Sequence, residues 1–365
     1  MLGCQALAGL EGDFRLRDGG ADAAGGSDVT GGMGGSGQAG APGCVLGIPP
    51  ARPDLRDDGD IRFVVALREV DLREDSGEPV GFDLDGRCTC GDGAEPSDAF
   101  PSSCSAPPGA TAGSLCDAEG GVDGQSAHIF GQFSASGFDS TSMSLGADAG
   151  YWSVLIEVTG YNGQPDDPKV AVNLFNALPL DAPAWEGADL WPIDPDSLED
   201  GVSTEKPRYR TETAFVRSGK LVMSLDSSAL VFRSYSGGHL TVRLQGSTLV
   251  AEIASTSTGF ALRDSIVSGK WSASDIFNAL DSFRLDDGSP VCTDNPLFAL
   301  ANAIVCSSLD VNAGSANIAE TCDAISFGLV FQAEPAGLGA VGSIPELPPG
   351  CPSRTLPSTG LCSFL

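Results

Sequence analysis

Between Tyr209 and Ala254 apolar and polar residues alternate with period two, and this pattern constrains the fold more than any other feature of the chain. Leu221, Met223 and Leu225 form one apolar set, Leu230 and Phe232 a second, Leu240, Val242 and Leu244 a third, and Leu249, Ala251 and Ile253 a fourth. A two-residue period places each set on one face of a sheet, so each run predicts a half-buried strand. Ser218-Gly219, Asp226-Ser227-Ser228, Gly237-Gly238 and Gly246-Ser247 separate the runs and predict tight turns. The expectation is a sequence-local antiparallel meander, preceded by a hairpin across Tyr151–Phe175 and by a first strand through Ile61, Phe63, Val65 and Leu67. His128–Phe133 and the alternation Ile325, Phe327, Leu329, Phe331 predict further strands.

Two helices are expected late in the chain. Ser272 or Ser274 caps one whose apolar stripe is Ile276, Phe277, Leu280 and Phe283. Asn295-Pro296 supplies a cap and an N1 proline to a second over Leu297–Cys306. The fold class that follows is all-β dominated: an antiparallel β-sandwich of jelly-roll type over residues 45–365, with two short accessory helices. Residues 5–44 read as a disordered linker; within it Gly19–Gly43 is almost entirely Gly, Ala, Ser and Asp, cannot offset its ordering entropy, and reaches roughly 25–30 Å.

The formal net charge of -29 disfavours phosphate backbones and anionic membrane surfaces, so no nucleic-acid partner is expected. Eleven cysteines divide as one plus ten. Cys4, in the Leu2-Gly3-Cys4 end of a lipobox-like remnant spanning residues 1–4, is the expected lipidation site. Cys44, Cys88, Cys90, Cys104, Cys116, Cys292, Cys306, Cys322, Cys351 and Cys362 are expected as five disulfides in an oxidising compartment. Cys88 and Cys90 are too close to pair with each other, so each is expected to reach Cys104 or Cys116. Parity then ties Cys44 to one of the five C-terminal cysteines. Zinc is the minor alternative for the cluster Cys88, Cys90, Cys104 and Cys116, which lacks Cys-x2-Cys pairs. No run reaches the ~18–20 apolar residues of a spanning helix, so a lipid would be the membrane attachment.

Catalytic signatures are absent from the sequence: there is no His-Glu-x-x-His, Gly-x-Ser-x-Gly or phosphate-binding loop, and His128 and His239 stand alone. Asp83 and Asp85, and separately Asn162, Asp166 and Asp167, offer loop oxygens of the kind calcium takes; solvated turn carboxylates are the plainer reading, and no other cofactor is expected. Tyr161, Trp185 and Trp191 flank the hairpin as candidate ligand-binding aromatics able to stack on a glycan, against the plainer alternative that the tryptophans cover a sheet edge.

The Cys4 start, the Gly/Ala linker, Gly160-Tyr161-Asn162-Gly163 with Asp167-Pro168, Trp185–Trp191 and Cys322-Asp323-Ala324-Ile325-Ser326-Phe327-Gly328 together resemble an uncharacterised myxobacterial-type predicted lipoprotein family. The resemblance implies export and lipid anchoring, at the outer membrane if the cell is Gram-negative, and carries no catalytic residue. The functional expectation is an exported cell-envelope or extracellular lipoprotein: a non-catalytic ligand- or glycan-binding or structural module. The competing expectation is a secreted polysaccharide hydrolase using a carboxylate pair beside Trp185 or Trp191.

Overall fold

A computed structural model describes residues 47–54, 59–91, 93–133, 139–233, 238–280, 282–284, 289–314, 317–344, 351 and 362. All lie in one compact unit within Gln38–Leu365. The expectations for Cys4, Cys44 and the whole of the 5–44 linker fall outside the described residues. The elements are β1 (Ile61–Asp71), α1 (Ser126–Phe133), α2 (Ser140–Asp148), β2 (Val154–Tyr161), β3 (Asp167–Asn176), β4 (Leu190–Ile193), β5 (Tyr209–Arg217), β6 (Lys220–Arg233), β7 (His239–Thr256), β8 (Gly259–Ser272), α3 (Ala273–Leu280), α4 (Pro296–Ser307) and β9 (Ala324–Val341).

The protein is mostly β, and its strands form a single sheet in the order β1-β2-β3-β5-β6-β7-β8-β9, with β9 also pairing back onto β1. The two-layer sandwich expected from the sequence is therefore replaced by a ring. Val64–Asp71 of β1 runs antiparallel to Val330–Ala336 of β9, while Ile61–Ala66 faces β2. Every pairing in the ring is antiparallel; the short strand β4 pairs parallel to β9, Leu190 opposite Gly337, beyond the end of the β1–β9 ladder. Eight strands are about the number at which side chains just fill a closed sheet. The interior is accordingly solid: Val65, Val158, Val172, Leu221, Val242, Ile325, Phe327 and Leu329 are all fully buried in one cluster.

The meander differs from expectation in one instructive way. Asp226-Ser227-Ser228 and Gly246-Ser247 are not turns but lie inside two long strands, which keep one register throughout. In β6 the core set passes from Leu221, Met223 and Leu225 to Leu230 and Phe232; in β7 it passes from Leu240, Val242 and Leu244 to Leu249 and Ala251. Both strands slip their alternation by one residue at the same level. Gly246, at φ +61°, takes the left-handed conformation that makes the slip possible in β7, and the β7–β8 register shifts there as at a bulge.

Two rows of outward-facing side chains are covered rather than solvated. Ala66, Leu155 and Phe175 lie side by side across β1, β2 and β3, beneath Trp191, Ile193 and Leu198. Phe215, Val222, Val250 and Ile266 form a second row under Phe82 and Leu84. The covering segment runs close to β9: a Cβ on Gly328 would lie 1.7 Å from the Val80 carbonyl oxygen, so only glycine fits there.

The two late helices form with the expected caps. Ser272 Oγ accepts from Asp275 N at 3.1 Å, and Asn295 Oδ1 accepts from Leu297 N at 2.9 Å. His128–Phe133 belongs to a helix, α1, not a strand, because a short apolar run is equally compatible with both periods. Ser126 anchors it, its Oγ accepting from Gly328 N and donating to Gly328 O across to β9. A second helix, α2, was not foreseen. It is capped by Asp139, and Ser140 and Ser144 on its surface accept from Leu72 N and Val70 N.

Four disulfides join described residues: Cys90–Cys116, Cys104–Cys322, Cys292–Cys351 and Cys306–Cys362. Cys88 is disulfide-bonded as well. Cys90–Cys116 matches the short-range expectation. Cys104 does not pair with Cys88 or Cys90; it reaches Cys322, and so the bridge to the C-terminal group leaves from Cys104. Disulfides of this number fit an oxidising, extracellular or envelope compartment. No described helix is long and apolar enough to cross a membrane.

Candidate functional site

The ring's regular pairing gives way between β5 and β6. Their ladder covers only Phe215–Arg217 against Lys220–Val222, while Tyr209, at the start of β5, still pairs with Leu174 of β3. Further along β6, the side chain of Asn176 stands in for the departed strand: its Nδ2 donates to Ala229 O at 3.0 Å and its Oδ1 accepts from Val231 N at 2.9 Å. Asn176 is fixed in turn by its own N–H, which donates to Ser197 Oγ at 2.8 Å. The opening left beside it is a cleft of about 330 Å³ on the outside of the ring.

Strand alternation furnishes one wall. Ala229, Val231 and Arg233 of β6 stand opposite Arg243, Thr241 and His239 of β7, all six lining the cleft. The other wall is the segment after β4, where Asp194 caps a 3₁₀ turn (Pro195–Ser197) by accepting from Asp196 N at 2.9 Å. Arg208 and Tyr209 complete it, Arg208 Nη2 donating to Leu198 O at 3.1 Å.

Charge is divided by depth. Arg233, with 10% of its side chain exposed, is ion-paired with the buried carboxylate of Asp194, and its Nε has no partner among the described residues. Arg208 and Arg243 are exposed at the mouth, and neither lies within ion-pair distance of a carboxylate among the described residues. Burial, then the fields of Arg233, Arg284 and Arg243, pull the His239 imidazole down to about 4, so it is neutral at physiological pH; its Nδ1 is buried and has no partner among the described residues. Burial raises Tyr209 above the usual phenol range, an effect opposed by Arg243 and Arg208. Such a set of guanidinium, carboxylate, amide, hydroxyl and neutral imidazole groups in one concavity can bind a polar small molecule through several hydrogen bonds at once.

The sequence-derived candidates are distributed differently. Tyr161 is buried, its ring edge-on to Phe63 and Phe260 and its hydroxyl donating to Gln164 O. Trp191 is fully buried over β1–β3 and touches Trp185 at 5.4 Å between ring centres. Exposing a ring of roughly 200 Å² would cost on the order of 5 kcal/mol, so Trp191 is cladding, not a stacking platform. Trp185 is half-buried, its Nε1 donating to Asp148 O and Arg68 lying over its ring at 5.1 Å. None of the three lines the cleft.

Asn162, Asp166 and Asp167 are occupied in shaping the β2–β3 turn and its neighbour. Asp167 accepts from Asn162 N and Lys169 N, Asn162 from Gln164 N, and Asp166 from Ser218 N. Asp83 and Asp85 do converge, with Asp123, their nearest oxygens all within 4.8 Å of one another. Alternation explains this: Phe82 and Leu84 pack on the sheet, which leaves Asp83 and Asp85 on the opposite side of the same short segment. Asp123 Oδ2 accepts from Leu84 N at 2.7 Å, and Asp117 Oδ2 from Thr89 N at 2.7 Å. Burial, with the charge of Asp85 and Asp117 behind it, holds Asp123 well above the ordinary carboxylate range, and burial lifts Asp117 to about 7. Asp310, fully enclosed and bonded to Ser326 N and Oγ, is likewise pushed up by burial to about 7. Among the described residues no Lys or Arg is ion-paired with these acids. Of the two loop sets offered for calcium, Asp83 and Asp85 are the ones brought within ligating distance of a further carboxylate.

The cleft was not foreseen from the sequence: the expected turn at Gly237-Gly238 includes residues outside those described, but the register pairs Arg233 with His239, and Arg243 follows two steps of alternation later. Comparison with protein-family models, with curated proteins and with solved structures returns no match.

Proposed function

We propose that this chain is an exported, non-catalytic binding protein of the cell envelope, tethered by lipid at Cys4, that takes a small polar ligand in the cleft between β5 and β6. The observation that carries this reading is the cleft itself: a monosaccharide-sized concavity whose walls are set by the closed sheet and whose polar groups converge from three separate segments. The disulfides support the compartment. Asp194 is already bonded to Arg233 and to its own turn, which makes it a positioning group and not a free acid of a hydrolytic pair.

The test is calorimetric binding of a panel of neutral and charged monosaccharides to the wild type and to Thr241→Trp. Thr241 is a half-exposed strand position at which an indole fits the backbone and fills the cleft. Binding that disappears in Thr241→Trp, with an unchanged melting temperature, supports the site. Binding that survives the indole, or a panel in which no member binds, overturns it.

A further inference from the structure

Resting on the cleft as the binding site, we infer that its ligand is a small polyhydroxylated carboxylate, of the uronic- or aldonic-acid class. The argument begins with charge. The chain carries a formal net charge of -29 and only 20 Lys and Arg residues, yet three arginines line this one concavity. Arg233 and Asp194 neutralise each other at the floor. What is left at the mouth is Arg208 and Arg243 against Asp196, a surplus of one positive charge before a ligand enters.

Placement and chemistry narrow the class. A guanidinium offers a planar fork of N–H donors that matches a carboxylate in bidentate fashion, which an ammonium group does not. Arg208 and Arg243 keep exposed side chains and have no carboxylate within ion-pair distance among the described residues, so a ligand anion displaces solvent and no existing ion pair. Beside the arginines the groups suit neutral hydroxyls: the buried Tyr209 and half-buried Thr241 offer hydroxyls, the His239 imidazole lines the same wall, and the exposed Asp196 carboxylate accepts at the mouth. Both rings, Tyr209 and His239, feel the fields of Arg243 and Asp196 together, which places a cation and an anion acceptor around the same small volume. An acid lacking hydroxyls would leave the floor groups unpaired, and a neutral sugar would leave the mouth guanidiniums unmatched.

Three sugars of one frame test this directly: D-galacturonate, D-galactose and D-galactosamine, titrated into the intact protein at low and at physiological salt. The expected result is galacturonate binding at least about tenfold more tightly than galactose, with galactosamine weakest and the preference shrinking as salt rises. Arg243→Ala and Arg208→Ala each reduce galacturonate affinity about tenfold and reduce galactose affinity by a clearly smaller factor. Equal affinity for acid and neutral sugar, tighter binding of the amine, or loss of both acid and neutral binding in the arginine variants overturns the carboxylate assignment while leaving the cleft as a binding site. Absence of binding by all three sugars overturns the assignment and the site together.

Discussion

The cleft and the carboxylate cluster around Asp123 are built from opposite charges by opposite means. In the cleft, Arg233 and Asp194 are buried as a pair, and the remaining arginines reach solvent. The walls are strands whose backbone groups are paired in the sheet, with Asn176 replacing the missing partner. In the cluster, Asp117, Asp123 and Asp310 are enclosed with no cation paired to them among the described residues, and the segments that carry them are secured by Cys90–Cys116 and Cys104–Cys322. Hydrogen-bonded strands hold paired charge in the first region; covalent links hold like charge together in the second. Self-repulsion of this kind is tolerable where the chain cannot move away from it.

If that contrast is right, breaking the Cys104–Cys322 link has the largest effect. It closes a loop of 218 residues, for which chain entropy predicts a loss of about 5 kcal/mol in Cys104→Ala/Cys322→Ala. Hydrogen exchange should rise in residues 82–123 and 309–324 and stay slow in β6 and β7; a uniform rise across both regions would erase the distinction. Next, Arg233→Met strands a buried carboxylate and should cost roughly 3–5 kcal/mol by denaturant unfolding, most of it recovered in Arg233→Met/Asp194→Asn. A single variant as stable as the wild type would show that the pair is not what supports the cleft floor.

The smallest effect is in pH dependence, where the two regions have opposite signs. Asp117 and Asp310 bind protons in the folded state up to about pH 7, whereas an unfolded aspartate releases them near 3.8, so their contribution to stability falls as pH rises through that window. His239 stays neutral down to about 4 while the unfolded imidazole charges near 6.5, so its contribution rises with pH between those values. Asp117→Asn should therefore raise the melting temperature relative to the wild type at pH 7.5 by about 2–4 °C and lose that advantage at pH 4.5. His239→Gln should gain at pH 4.5 and not at 7.5. The same offset for Asp117→Asn at both values would remove the repulsion argument.

Local features of this fold were legible and long-range ones were not. The β2–β3 hairpin, the caps at Ser272 and Asn295, and the alternation of β1 and β9 follow from neighbouring residues, and they stand as expected. Ring closure depends on β1 meeting β9 across most of the chain, and alternation within a strand says nothing about which strand lies beside it. Ser227-Ser228 and Gly246-Ser247 read as turns because small polar residues favour both turns and bulges. The site was legible only in fragments. Asp83 and Asp85 were visible because they are adjacent, whereas Asp123 joins them through a cross-linked loop. His239 looked solitary because Arg233, Arg284 and Asp196 act on it from different parts of the fold.

The matched slip in β6 and β7 has a consequence for how this molecule can vary. Asp226 and Gly246 face each other at the one level where the inward and outward sets exchange. Losing either residue alone would restore strict two-residue alternation in its own strand and keep the same leucines and phenylalanine inward, but would leave the slip in the partner strand unmatched and break the single register between the two. Length changes in this hairpin can therefore be inherited only as pairs, one in each strand, which makes the two positions a single hereditary unit although they lie twenty positions apart in the chain.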